Sequence, residues 1–183
     1  MAVIVYYVAA SVDGFIATLE GGIEWLAPLE GREADNGYAE FYKTVDAVLV
    51  GGRTYEACLK HAEWPWPGKP CWVFSRQKRN VAQPDVIVTD RGPAAVAAEL
   101  KERGIKRAWL AGGGELAGSF REAGLIDEYI ISFIPAILGD GIPIFGFSSV
   151  KEDLELVGVK SFPVGIVRAH YRHAPDRQDP PGG

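Results

Sequence analysis

Histidine and cysteine are scarce in this sequence. His61, His170 and His173 are its only histidines, and Cys58 and Cys71 its only cysteines. The histidines are scattered, with no carboxylate or cysteine at metal-ligand spacing, so no zinc site is expected. Neither cysteine sits in a basic motif that would make it a nucleophile. Free thiols in a reducing cytoplasm are expected in place of a disulfide. Basic surplus is also missing. Nineteen Lys and Arg stand against 24 Asp and Glu, a net charge of −5 with the signs interspersed. No basic stripe is left to track a nucleic-acid backbone, which excludes DNA and RNA as expected partners. The apolar opening, Val3 to Ala10, is too short to span a bilayer and lacks a basic flank, and Asp13 follows it. It reads as neither a signal peptide nor a transmembrane helix, and no membrane partner is expected. Gly118-Ser119-Phe120 does not form a nucleophile elbow, which removes the hydrolase reading.

What is present is a sizeable core, with 48% hydrophobic and 23% charged residues, and a rhythm of short apolar runs. Val3 to Ala10 is apolar on both faces and β-branched, as a central covered strand should be. Ala47-Val48-Leu49-Val50, Cys71-Trp72-Val73-Phe74, Val86-Ile87-Val88-Thr89 and Ala108 to Ala111 repeat the pattern. Between them, Tyr38, Phe41, Tyr42 and Val45 recur at helical spacing, with Asp35 or Asn36 as the expected N-cap. Glu56 to Lys60 continues the second strand as a short helix. Pro93 opens a helix through Arg103 that Gly104 stops. Another helix runs from Gly114 to Ala123. His61 to Pro70, rich in Trp and Pro, is neither helix nor central strand.

After Asp127 the pattern changes. Glu128 to Ile134 is a long strand, and Pro135 to Phe147 a loop rich in Gly and Pro. Leu154 to Phe162 faces Ile166 to Arg172 across Pro163-Val164-Gly165. In the last strand Val167, Ala169 and Tyr171 alternate with Arg168, His170 and Arg172, which predicts one buried and one wet face. The expected fold is one α/β domain over residues 1–173, with a mixed, mostly parallel central sheet and a C-terminal antiparallel hairpin. The tail 174–183 is expected to be disordered.

Three glycines, Gly112-Gly113-Gly114, join a buried strand directly to a helix. Such a turn exposes backbone N–H groups beside a partial positive charge, and its natural guest is a phosphate. Two further strand ends are chemically alike. Gly51-Gly52-Arg53-Thr54 offers N–H groups, a hydroxyl and a guanidinium; Ser75 to Arg79 offers a hydroxyl, an amide and three cations. Strand ends of a parallel sheet share one edge. NADPH fits all three, because Arg53 and Arg76 would pair with its 2′-phosphate. Gly112-x-Gly114-x-x-Ala117 matches the relaxed dinucleotide fingerprint only weakly, since that fingerprint belongs to a first βα unit and needs an acid after the next strand. Here the next strand ends at Ile134-Pro135.

Four stretches carry a resemblance to a known family. They are Ala9-Ala10-Ser11-Val12-Asp13-Gly14-Phe15-Ile16-Ala17, Glu24-Trp25-Leu26, Val50-Gly51-Gly52-Arg53-Thr54-Tyr55-Glu56, and Ala111-Gly112-Gly113-Gly114-Glu115-Leu116. In order and spacing they resemble the dihydrofolate-reductase-like fold, closest to the reductase domain of bacterial riboflavin biosynthesis and its stand-alone relatives. The resemblance implies a three-layer α/β/α domain and an NADPH-dependent reductase of a small heteroaromatic compound related to a pterin, pyrimidine or flavin. It would place Ala9 and Ile16 against the nicotinamide. Gly52, Arg53 and Thr54 would hold phosphates, and Ser75 and Arg76 would lie near the adenosine 2′-phosphate. Gly113, Gly114, Glu115 and Leu116, after Gly112, would wrap the pyrophosphate. Glu20 to Trp25, including Glu24, would be a loop closing over the ring. Dihydrofolate reductases carry an acid early on the first helix; the nearest candidates, Asp35 and Glu40, match no clean motif. They also usually carry a Tyr where this chain has Ala117. Both departures argue against folate itself.

Hydride transfer asks the protein for alignment and dryness, since the cofactor carries the reactive bond. Asp13 is the candidate proton-handling group; an Asp-Gly turn is the alternative. Trp25 either shields the ring or fills the core. A nucleotide-binding protein that has lost catalysis on the same scaffold is the alternative function. Relatives of this type are commonly homodimers, and the strand Glu128 to Pro135 with its hairpin leaves an edge needing cover, so a homodimer is expected.

Overall fold

The computed structural model describes residues 2–29, 37–60, 64–79, 81 and 83–174. The strands are β1 (Val3–Ser11), β2 (Phe15–Ala17), β3 (Ala47–Gly51), β4 (Cys71–Phe74), β5 (Val86–Thr89), β6 (Arg107–Gly112), β7 (Glu128–Ile134), β8 (Ile142–Pro143), β9 (Leu154–Ser161) and β10 (Val167–His173). The helices are α1 (Tyr38–Thr44), α2 (Gly52–Leu59), α3 (Pro93–Glu102) and α4 (Gly114–Glu122), with a 3-10 turn over Glu24–Leu29.

Eight strands form one sheet in the order β5-β4-β3-β6-β1-β7-β10-β9. The pairings from β5 through β7 are parallel, and β10 and β9 close the sheet antiparallel. The three-layer α/β/α arrangement expected from the sequence is the one observed. One face buries Ile4, Tyr6, Leu49, Trp72 and Leu110 beneath Val96 and Leu100 of α3 and Ala117 and Phe120 of α4. The other buries Val5, Tyr7, Val48, Val50 and Trp109 beneath Phe41 of α1 and Tyr55 of α2. The doubly apolar strands are thus explained by cover on both sides. Each fully buried aliphatic or aromatic side chain contributes about 1.5–3 kcal/mol.

Two local readings need correction. The α1 N-cap is Gly37, with φ 70°; Asp35 and Asn36 lie outside the described residues, as do His61 and 175–183. Helix α2 begins at Gly52, several residues before Glu56, with Gly51 at the end of β3 as its extended N-cap. After β1, Phe15–Ala17 pairs antiparallel with Ile142–Pro143 from the loop after β7. That loop is further fixed by Ile144 N–H to Gly14 C=O at 3.0 Å and by the buried Tyr6 hydroxyl donating to Ile144 C=O at 2.5 Å.

The last strand departs from its expected alternation. Val167 is 42% exposed while Ala169 is buried, and Arg168 and His170 are only half-exposed. Their face is not simply wet, because it continues the inner face of the sheet past β7.

Candidate functional site

The parallel strands bring their C-terminal ends to one edge. Gly51 at the end of β3 pairs with Phe74 of β4, and Val50 pairs with Gly112 of β6. A β-carbon built on Gly51 would meet Gly112 C=O and Gly113 N at 3.6 Å and Leu116 Cβ at 3.9 Å. The glycine corners of β3 and β6 are therefore in contact. Helices α2 and α4 start there, and neither has a side-chain cap on its first turn. Their leading N–H groups have no partner within the helix and present partial positive charge to the same opening.

The three glycines do different work. Gly112 has φ +104°, open only to glycine at low cost, and the Gly112–Gly113 peptide is cis. At Gly113 a β-carbon would lie 3.2 Å from Thr54 Oγ1 and 3.9 Å from Ile16 Cδ1. Three predicted residues from β2, α2 and the β6–α4 turn thus converge on one bare backbone. Gly114 faces elsewhere: a β-carbon there would sit 2.2 Å from Pro143 C=O. Its missing side chain serves the packing of α4 under the loop after β7, and only its backbone remains for a ligand.

Basic groups flank this corner. Arg53 Nη1 lies 3.6 Å from Glu115 Oε1, both exposed, so the two helix starts face each other. Of the cations after β4, the sequence favours Arg76, but the structure leaves Arg76 and Lys78 exposed. Arg79 is the one folded inward. Its Nε donates to Ser75 Oγ at 2.8 Å, it pairs with Glu56, and its side chain is only 12% exposed. Ser75 is the hinge of this arrangement, since its hydroxyl also holds Gln77 N–H at 3.1 Å. A cleft of about 280 Å³, lined by Tyr55, Glu56, Leu59, Gln77, Lys78 and Arg79, opens beside it.

Asp13 is placed by the β1–β2 turn against the loop after β7. Its carboxylate accepts from Leu138 N–H at 3.1 Å and Gly139 N–H at 2.7 Å. The Ser11 hydroxyl and then these amides hold its pKa below the usual carboxylate range. Doubly bonded to backbone N–H groups, the Asp13 carboxylate braces the β1–β2 turn against the loop after β7. Glu24 and Glu40 are exposed. Trp25 packs with Leu26 and Ala9 on a small cluster of Ile134, Phe162 and Ile166, so it covers the end of β1 and fills core at once.

Among the described residues no group of three His, Cys, Asp or Glu could hold a metal, and no helix is long and apolar enough to cross a membrane. Both cysteines are free. Burial pushes the Cys58 thiol up to about 11 and that of Cys71 up to about 12, so neither is a ready nucleophile.

Residues 2–168 match the RibD C-terminal domain family. The uncharacterised protein YwjB of Bacillus subtilis (strain 168) is 40% identical over 171 residues, covering 93% of this chain and 97% of that protein. Among solved structures, a candidate riboflavin biosynthesis protein of Shewanella sp. PV-4 is 27% identical with a TM-score of 0.85, over 96% of this chain and 100% of the other. A diaminohydroxyphosphoribosylaminopyrimidine deaminase/5-amino-6-(5-phosphoribosylamino)uracil reductase of Thermotoga maritima shares the fold at 18% identity and a TM-score of 0.72, over 94% of this chain and 57% of that one. With β-strand ends, glycine corners and C-terminal hairpin all in the expected order, this chain belongs to the RibD C-terminal domain family and has its dihydrofolate-reductase-like fold.

Proposed function

We propose that the protein is an NADPH-dependent reductase that transfers a hydride to a small heteroaromatic compound of the pterin, pyrimidine or flavin type. The observation that carries this reading is the meeting of Gly113, Thr54 and Ile16 between two uncapped helix starts, with guanidinium groups beside them. The donors fit a dinucleotide. The α4 start and Gly113 suit a pyrophosphate, which needs amides and close backbone approach. Thr54 and Arg53 add a hydroxyl and a charge at the α2 start. Arg79, Ser75 and the adjoining cleft suit the 2′-phosphorylated adenosine end. Ile16 and Ala9 offer an apolar wall for the nicotinamide.

When bound, NADPH supplies the hydride from C4 of its dihydronicotinamide ring. The chain's own contribution is alignment of that ring against the substrate and exclusion of water around it, both of which lower the barrier without a protein nucleophile. Asp13 holds the two loops that frame the ring, and water supplies the proton. The names carried by the Shewanella and Thermotoga relatives support a pyrimidine or flavin precursor as the chemical neighbourhood of the substrate.

The test is titration of the purified protein with NADPH, followed by the cofactor's fluorescence, and then by its oxidation with a panel of pterins and ribosylaminopyrimidines. A saturable signal in the micromolar range and turnover with at least one acceptor are expected. No signal at millimolar NADPH would remove the reading; binding without turnover on any acceptor would leave a nucleotide-binding protein that has lost catalysis.

A further inference from the structure

The inward-folded cation beside the glycine corners already has an anion. Arg79 Nη1 pairs with Glu56, while its Nε donates to Ser75 Oγ. The helix sets this geometry. Glu56 stands four residues after Gly52 on α2, so the two positions share a face. Arg79 lies along that face, where a β-carbon on Gly52 would touch its guanidinium. The two partners differ in freedom. The Arg79 side chain is 12% exposed and that of Glu56 is 57% exposed. The cation is fixed by the fold, whereas the carboxylate has room to swing into solvent. Both line the same cleft, with Tyr55, Leu59, Gln77 and Lys78.

The chemistry of the pair bears on which dinucleotide fits. An ionised carboxylate and a phosphate are both acceptors, and both favour a guanidinium. A 2′-phosphate arriving at Arg79 must displace Glu56 or share the cation with it. Sharing sets a carboxylate beside a group of about −1.5 to −2 charge at pH 7, which is repulsive. A ribose 2′-hydroxyl meets the opposite situation, because it has a proton to donate and the carboxylate accepts it. Glu56 therefore works against the phosphorylated dinucleotide and for the unphosphorylated one, and Arg79 does the reverse. Arg76 and Lys78 are exposed and add only a screened attraction to the phosphate.

We infer that Glu56 sets the choice of cofactor: by competing with the 2′-phosphate for Arg79, it holds the site near balance, so that the protein takes NADH as well as NADPH. This rests on the reductase reading and adds to it a residue that opposes the 2′-phosphate. The ion pair is half in solvent, and pairs of that kind are weak. The phosphate can displace it, so the penalty is a factor in affinity and not an exclusion.

The experiment compares NADPH with NADH, and 2′,5′-ADP with 5′-AMP, on the purified full chain. Fluorescence titration reads the dinucleotides and calorimetry the fragments, for wild type, Glu56→Gln, Arg79→Ala and the double variant. Wild type is expected to bind NADPH and NADH within about thirtyfold of each other. Glu56→Gln is expected to raise affinity for NADPH and 2′,5′-ADP about fivefold and to lower that for NADH about twofold, moving the preference about tenfold toward the phosphate. In the Arg79→Ala background the gain from Glu56→Gln is expected to fall below about twofold, since no shared cation is left to release. Glu56 is exposed, so the urea midpoint of Glu56→Gln is expected to match wild type. NADPH affinity that stays level or falls in Glu56→Gln, a gain undiminished without Arg79, or a wild-type preference beyond thirtyfold would each overturn the inference. Both dinucleotides binding with position 56 irrelevant would leave the reductase reading standing and remove this inference. Neither dinucleotide binding at millimolar concentration would remove the reductase reading; a Glu56-dependent preference between 2′,5′-ADP and 5′-AMP would then still uphold the competition at Arg79.

Discussion

Arg79 lies across Gly52. Its Nη2, Nε and Cζ come within 2.8, 2.9 and 3.0 Å of the point where a β-carbon at position 52 would be. A cation therefore rests at the unfavourable, positive end of a helix, balanced by Glu56. An anion entering there would relieve that arrangement.

Position 52 can thus be probed without breaking the fold. Gly52→Ala meets only the tip of a flexible side chain, so stability is expected to change by less than about 1 kcal/mol. The displaced Arg79 is expected to cost NADPH about tenfold in affinity. Arg79→Ala should lose tenfold or more and Arg76→Ala no more than threefold, because only Arg79 is positioned by Ser75. NADPH fluorescence titration reads all three, and equal losses at 76 and 79 would contradict the placement.

Gly114→Ala is the contrasting case. The added carbon meets a backbone carbonyl 2.2 Å away, not a movable side chain. A cost of about 1–3 kcal/mol is expected, as for overpacking generally. Urea unfolding followed by circular dichroism measures it, and an unchanged midpoint would show that the loop after β7 yields freely.

Glu128 gives the acid limb of stability. It accepts from Arg107 at 2.6 and 2.9 Å and contacts His170 Nε2 at 2.9 Å. The Arg107 hydrogen bonds, outweighing partial burial, hold its pKa below the ordinary 4.5. A depressed carboxylate stabilises the fold above its unfolded pKa and loses that contribution as pH falls through the folded value. Wild type is therefore expected to lose stability faster than Glu128→Gln below about pH 4.5, with Glu128→Gln about 1–3 kcal/mol less stable at pH 7. Parallel unfolding curves at pH 7, 5 and 3 check the sign.

Asp13→Asn separates a brace from an acid. Because Asp13 is held ionised by Ser11, Leu138 and Gly139, the pH profile of kcat/KM for NADPH oxidation is expected to keep its shape. The loss expected is in KM, from a looser loop. A titrating limb that disappears only in Asp13→Asn would restore the proton-handling role.

We also propose a homodimer through the hairpin. Strand β9 is exposed along its whole length, with Leu156, Val157 and Val159 at 53, 49 and 60% exposure. Such an edge invites pairing unless it is covered. Light scattering is expected to give twice the chain mass at micromolar concentration, falling to the monomer in Val157→Lys/Val159→Lys. A monomeric wild type at every dilution would end the proposal.

The short apolar runs, the glycines at their ends and the proline and glycine at helix boundaries are local signals, and they were enough to place β1, β3–β7 and the hairpin. Composition gave the double cover of the sheet, since strands apolar on both faces must be buried on both. The glycine corners were legible too, because strand ends of a parallel sheet share an edge by necessity. Local signals could not choose among Arg76, Lys78 and Arg79. That choice depends on which side chain can reach Ser75 and Gly52 once β4 lies beside β3. Nor could they divide Gly112-Gly113-Gly114 into a backbone bend, an open approach and a packing contact, since Pro143 approaches Gly114 from a loop folded over α4. Arg168 looked like one wet residue of an alternating strand. Ser132 was an isolated hydroxyl inside the apolar run Ile130 to Ile134. Pairing β7 between β1 and β10 set them side by side, and pairing between strands far apart in the chain is a property of the folded sheet that no single segment carries.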